Sequence, residues 1–328
     1  MSRAVALRLG AFAGALALAF AAAFAIGSAV DPVAAADPAP PTDMAGMGGE
    51  THGAGHSESS GQLPGLAVSD AGYTFEPEST FFTANSKTVL RFTIKGPDGK
   101  PVTGYTPTHE KDLHLIVVRR DLSGFHHVHP TRDAGGTWSI PFTFTAGGTW
   151  RLYADFQPAG FDRTLTLGTD VNVSGLYIPV PLNDPASSYS VHEYDVTLAG
   201  TPVAGKESEL TFRVSSGGKP VTDLQPYLGA FGHLVSLRSG DLAYLHNHPS
   251  QDAKAGMKGG PEIKFGTTFP TAGTYRLFLD FQHAGAVHTA EFTVQVGGEG
   301  KAIVPPTVLP SQPSKPSTPS HEDTPHGH

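Results

Sequence analysis

His114, His127 and His129 stand in an H-x12-H-x-H pattern, and the pattern returns at His233, His246 and His248. Imidazoles at i and i+2 share one face of a strand, and a third on the preceding strand joins them if the two strands pair in the right register. The run HLIVVRRDLSGFHHVHP (114–130) reads as two such strands around RDLSG. A two- or four-residue loop centred between Asp121 and Leu122 sets His114 opposite His129 and His127 opposite Ile116, with Cβ atoms about 4.5–5.5 Å apart across each pair. A three- or five-residue loop destroys the arrangement. The same construction in HLVSLRSGDLAYLHNHP (233–249) centres on Gly240-Asp241 and sets His233 opposite His248. His126 falls on the other face; its counterpart is Leu245, and that of His109 is Leu228.

Three neutral imidazoles suit Cu(II), zinc or nickel. The bland alternative is a set of strand histidines bonded to backbone and retained by common descent. A duplicated triad containing H-x-H favours metal over that alternative, so we expect one ion per copy, copper first, with zinc or nickel as alternatives. The fourth position falls to water, to Asp155 or Asp280 of the repeated DFQ, or to His283 or His288 in the second copy. The two aspartates are read more simply as satisfying a turn or backbone amides. Met44, Met47, His52 and His56 in DMAGMGGETHGAGH combine thioether and imidazole, a pairing suited to copper in either oxidation state. A solvated linker is the plain reading of that stretch, and a polar tail the plain reading of the terminal HEDTPHGH.

The elements that must position these residues come from an internal duplication. LRFTIKGPDGKPVT (90–103) matches LTFRVSSGGKPVT (210–222), and FTAGGTWRLYADFQPAG (144–160) matches FPTAGTYRLFLDFQHAG (269–285). Within each copy, runs such as VLRFTI, HLIVV, WSIPFTF and WRLYADF are β-branched and aromatic, cut by DG, GG and SG turns. The expected fold is all-β, two tandem Ig-like or cupredoxin-like β-sandwich domains. The expected boundaries are a signal peptide or membrane anchor over 1–36, a Met/His linker over 37–64, sandwiches over 65–180 and 181–298, and a Pro/Ser-rich, His-ending tail over 299–328. Trp138 and Trp150 are read as core.

Composition narrows the function. The chain lacks cysteine, which excludes disulfides, thiolate metal sites, thiol catalysis and a cysteine-ligated blue-copper centre. A net charge of −8 argues against nucleic acid, whose phosphates need a basic face. Arg3 and Arg8 precede an uncharged run from Leu9 to Val30 and the small-residue stretch Val33–Ala36. A basic start, an apolar stretch and an A-x-A ending read as an export signal, and the run is also long enough to span a bilayer. Either reading makes the remainder extracytoplasmic, secreted or anchored to the plasma membrane, with that segment the sole membrane contact.

No catalytic set stands out: G-x-S-x-G, H-E-x-x-H and P-loop motifs are absent from the sequence. GFHHVH resembles the GFHVH strand of copper–zinc superoxide dismutases, but the cysteine pair and the zinc-loop cluster are missing and copy two reads YLHNHP. A broader resemblance rests on HEKDLHLIVVRRDLSGFHHVHP, GGTWRLYADFQPAG, KPVTDLQPYLGAFGHLVSLRSGDLAYLHNHP and AGTYRLFLDFQHAG. These segments resemble a family of exported actinobacterial proteins, mostly uncharacterised and described as secreted or heavy-metal-associated. That resemblance implies a link with copper-exporting systems, hence a membrane metal transporter as partner. The leading expectation is a non-enzymatic, extracytoplasmic copper-handling protein. A cell-envelope interaction module without metal competes with it, and a copper oxidase or dismutase-like enzyme stands third.

Overall fold

The computed structural model of the chain describes residues 63–298. All named elements among them are strands. The first copy contains β1 (Ser69–Asp70), β2 (Tyr73–Pro77), β3 (Phe81–Thr83), β4 (Thr88–Lys95), β5 (Tyr105–Thr106) and β6 (Leu113–Arg119). It continues with β7 (His126–Val128), β8 (Thr131–Arg132), β9 (Thr137–Phe142), β10 (Gly148–Pro158) and β11 (Leu165–Ser174). The second copy contains β12 (Ser188–Val191), β13 (Tyr194–Ala199), β14 (Glu207–Ser216), β15 (Lys219–Pro220) and β16 (Gly232–Arg238). It ends with β17 (Tyr244–His246), β18 (His248–Pro249), β19 (Glu262–Thr268), β20 (Gly273–His283) and β21 (Ala286–Val296).

Each copy is a sandwich of two sheets. In the first, β1-β2-β4-β9-β8 faces β3-β11-β10-β6-β7, with β5 added to β10. In the second, β12-β13-β14-β19-β18 faces β17-β16-β20-β21, with β15 on β14. The alternation in the sequence explains the packing between layers. Leu90, Phe92 and Ile94 of β4 point inward with Trp138 of β9, against Leu115, Val117, Trp150 and Phe156 of the opposite sheet. Phe212, Phe265, Leu277, Phe281 and Phe292 do the same in the second copy. The all-β, duplicated architecture read from the sequence is the one observed.

A third core joins the two sandwiches. β6 is buried along all seven residues, which a sheet with one wet face would not require. Leu113, Leu115 and Val117 face the first sandwich. Ile116 and Val118 face outward and meet Val235, Leu237, Tyr244 and Phe278 of the second copy. Phe125 stacks on Phe278 with centroids 3.9 Å apart, and the Tyr153 hydroxyl donates to the Leu242 carbonyl at 2.6 Å. Each such side chain contributes about 1.5–3 kcal/mol when buried, so the outer faces of β6 and β16 form a permanent junction. The HLIVV run is continuous because both of its faces are covered.

The segment before β1 wedges into this junction. Pro64 accepts a hydrogen bond from the Tyr244 amide at 2.9 Å, and Gly65 donates to the Thr166 carbonyl at 2.9 Å. Gly65 has φ +75°, and a Cβ there would lie 2.7 Å from the Tyr153 ring. The expected signal or anchor, the expected tail, and the part of the expected linker that holds Met44, Met47, His52 and His56 lie outside the described residues.

Candidate metal centre

Strand parity places the histidines on the junction side. His114 shares its face of β6 with Ile116 and Val118, the residues that meet the second sandwich. β6 and β7 pair as Leu115↔Val128, Ile116↔His127 and Val117↔His126, the register that the loop around Asp121 and Leu122 implied. His126 therefore points the other way, its ring 5.1 Å from that of Phe142. The chain then leaves this sheet: β8 pairs with β9 of the opposite layer. His129 sits at that crossing, beyond the last ladder pair, and still turns inward.

Three ring nitrogens converge. His114 Nδ1 lies 3.0 Å from His127 Nε2 and 3.1 Å from His129 Nε2. Among the described residues these three form the one group of histidine or acidic side chains whose ligand atoms lie within 4.8 Å of one another. Their other nitrogens decide what faces what. His114 Nε2 donates to the Thr108 carbonyl at 2.9 Å, since a carbonyl can only accept. His127 Nδ1 donates to Asp280 Oδ2 at 2.9 Å. His114 is anchored through its Nε2–H, so as a neutral imidazole its Nδ1 is a bare acceptor facing His127 Nε2 and His129 Nε2. Burial pushes His114 down to about 3, helped by the charge of His127 and opposed by the Thr108 carbonyl. Burial and His127 push His129 down to about 3 as well. Nitrogens at these separations can share a proton or a metal ion.

The second sandwich completes the site. Asp280 belongs to β20, and its Oδ1 accepts from Thr289 at 2.6 Å while Oδ2 holds His127 of the first copy. Asp155, its counterpart, accepts from Thr166 at 3.1 Å within its own copy and from the Tyr244 hydroxyl of the other at 3.3 Å. The two aspartates occupy equivalent ladder positions, opposite His114 and His233. Both bond side chains of the facing strands and of the other copy. Asp280 sits behind His127, and its carboxylate fixes the orientation of that ring.

His233 repeats the anchoring of His114, donating Nε2–H to the Tyr227 carbonyl at 2.8 Å, and burial pushes it down to about 3. β17 pairs with β16 through Val235↔His246, as β7 pairs with β6 through Ile116↔His127. His248 has its backbone partner in the opposite layer, at Gly266 of β19, so the ladder does not set it opposite His233. His233 lies beside the first cluster, its ring 6.2 Å from that of His127. His109 joins them, 5.1 Å from the ring of His233 and 6.1 Å from that of His114. Sequence comparison of the copies missed it because Leu228 stands at its counterpart; the shared signal is backbone, with φ +47° and +53° at the two positions. A cavity of about 20 Å³ lies between the sandwiches, lined by His109, His114 and His127 on one side and His233 and Asn247 on the other.

His283 and His288 are placed elsewhere. His283 bonds the Tyr194 hydroxyl at 2.8 Å and Asp223 at 3.0 Å. His288 Nδ1 lies 3.4 Å from His192 Nδ1. Neither supplies a fourth ligand to the three-histidine cluster.

One family model matches the chain twice, over residues 67–173 and 189–298; its description is "Domain of unknown function (DUF8832)". No curated protein matches the chain. Among solved structures, the Escherichia coli adhesin FdeC aligns at 17% identity and a TM-score of 0.23, over 71% of this chain and 66% of that one. The D0–D1 domain of intimin aligns at 11% identity and a TM-score of 0.21, over 68% of this chain and 97% of that one. Escherichia coli alpha-2-macroglobulin aligns at 13% identity and a TM-score of 0.23, over 69% of this chain and 20% of that one. The chain thus spans just under two thirds of FdeC and a fifth of the macroglobulin.

Proposed function

The chain belongs to the family described as Domain of unknown function (DUF8832), two copies of which make up its two sandwiches, and on that premise we propose that it is an extracytoplasmic, non-enzymatic protein that binds a transition-metal ion, copper first, at the junction of those copies. The observation that carries the reading is the convergence of His114 Nδ1, His127 Nε2 and His129 Nε2 within 3.0–3.1 Å along His114. Two nitrogens each about 2.0–2.1 Å from a shared ion stand about 2.9 Å apart at a right angle and about 3.3 Å apart at the tetrahedral angle. The observed separations fall in that interval. An all-imidazole set suits Cu(II), zinc or nickel, and copper agrees with the resemblance to heavy-metal-associated exported proteins.

His114, His127 and His129 would hold the ion, and Asp280 would fix the ring and tautomer of His127. His233, His246 and His248 are proposed as a second ligand set on the repeated spacing. The Met44, Met47, His52 and His56 segment would gather ions for these sites, and a membrane metal transporter would supply or receive them. The test is elemental analysis of the full chain after copper or zinc loading and desalting. Bound ion, reduced by one equivalent in His127→Ala/His129→Ala, supports the reading; a folded chain that retains no metal refutes it.

A second reading has one observation of its own. Leu176, Tyr177, Ile178 and Val180 between the sandwiches are exposed, Leu176 by 76% and Ile178 by 63%. An apolar strip of this kind favours a protein-binding role in the cell envelope. Capture of a binding partner lost in a Leu176→Ser/Ile178→Ser variant, with metal uptake unchanged, would support it.

A further inference from the structure

The cavity beside the cluster touches His114 and His127 but not His129, so it opens on the side of the three nitrogens away from His129. At about 20 Å³ it holds one water-sized molecule. Asn247 supplies its most informative wall. The residue is 3% exposed, and its Nδ2 donates to the Leu234 carbonyl, the Ser236 hydroxyl and the Leu245 carbonyl at 3.0–3.1 Å. Those acceptors fix which end of the amide is oxygen. Its Oδ1 is buried and has no hydrogen-bond partner. An orphaned buried acceptor costs about 1–3 kcal/mol, and the first copy shows the fold does not need one: Val128 stands at the counterpart position. The carboxylate of Asp155, 1% exposed, also borders the cavity.

We propose that this cavity is a small-ligand site on the open side of the metal centre, taking a neutral hydrogen-bond donor of water size and disfavouring anions, with Asn247 Oδ1 as its acceptor. The inference rests on the metal-binding reading of His114, His127 and His129. The chemistry of the walls sets the selection. An amide oxygen and a carboxylate attract an O–H and repel an anion, so water sits there in the resting protein, and azide or cyanide meets two negative ends in a low-dielectric space.

The experiment uses the full chain with one equivalent of Cu(II). Proton ENDOR in H2O and in D2O reads exchangeable protons next to the ion, and azide titration reads anion access through its charge-transfer band. The proposal expects strongly coupled protons that vanish in D2O, weak azide binding in the wild type, and about ten-fold tighter azide binding in Asn247→Val. Asn247→Val installs the side chain of the first copy, and a circular-dichroism melt verifies that it folds. Copper bound through imidazoles but showing only the weakly coupled exchangeable protons of the imidazole N–H groups, or equal azide affinity in the two folded proteins, overturns this proposal alone. A chain that takes up no copper overturns the metal reading and this proposal with it.

Discussion

Replacing Asp280 with alanine tests the cross-domain construction of the site. The Asp280 carboxylate lies 2.9 Å from His127 Nδ1, and both side chains are 5% exposed. Without it, the His127 N–H and the Thr289 hydroxyl lose their shared acceptor. His127 is then free to change tautomer, which would turn an N–H instead of a lone pair toward His114. Outer partners of ligand histidines are worth 10–100-fold in metal affinity, which equals about 1.4–2.8 kcal/mol. Asp280→Ala should therefore weaken the first-copy site by 10–100-fold although no ligand is altered. Asp280→Asn keeps an acceptor for the ring N–H and should fall between the two. The assay is competition for Zn(II) or Cu(II) against a chromophoric chelator, with a melting curve to verify folding. Two groups left unpaired in a buried site also lower apo stability by about 1–3 kcal/mol. An Asp280→Ala protein that is folded and binds within two-fold of wild type would refute the reasoning.

Three further outcomes are expected. His126→Ala should leave metal affinity unchanged, because its ring packs on Phe142 on the opposite face; a chelator competition reads this directly. Phe278→Ala should cost about 3–5 kcal/mol and split a single unfolding transition into two, because Phe278 holds Phe125 across the junction at 3.9 Å; calorimetry distinguishes one transition from two. Asp121 is pushed up by burial but held at about 2 by Arg119, the Val180 amide and Ser123. A depressed folded-state value contributes stability above the unfolded value near 4 and loses it as pH falls toward 2. The stability gap between wild type and Asp121→Asn should shrink across that window in denaturant titrations, and a gap that is constant from pH 5 to 2.5 contradicts the assignment.

Local chemistry made part of this molecule legible. The hairpin register followed from where Asp121 and Leu122 could turn, and β-strand parity then separated His126 from His127 and His129. The duplication was visible because the DFQ and H-x-H segments repeat with little drift. What stayed hidden depends on surfaces far apart in the chain. The run Leu115–Val118 is continuously apolar, but nothing in it names Val235, Leu237 and Phe278 as the cover of its outer face. Asp280 lies 153 residues from His127, and no local pattern announces that pair. His109 acts from a left-handed turn that tolerates leucine in the other copy, so residue identity concealed a shared backbone. Asn247 is one polar residue inside H-N-H in the sequence; its orphaned oxygen becomes visible only in the fold.

Anomalous diffraction from crystals of the zinc- or copper-loaded chain tests the central claim most directly. The account predicts a metal peak about 2.0–2.2 Å from His114 Nδ1, His127 Nε2 and His129 Nε2, with Asp280 still bonded to His127 Nδ1. Saturating metal with no peak among those three nitrogens, or with ions only on the surface, would contradict it.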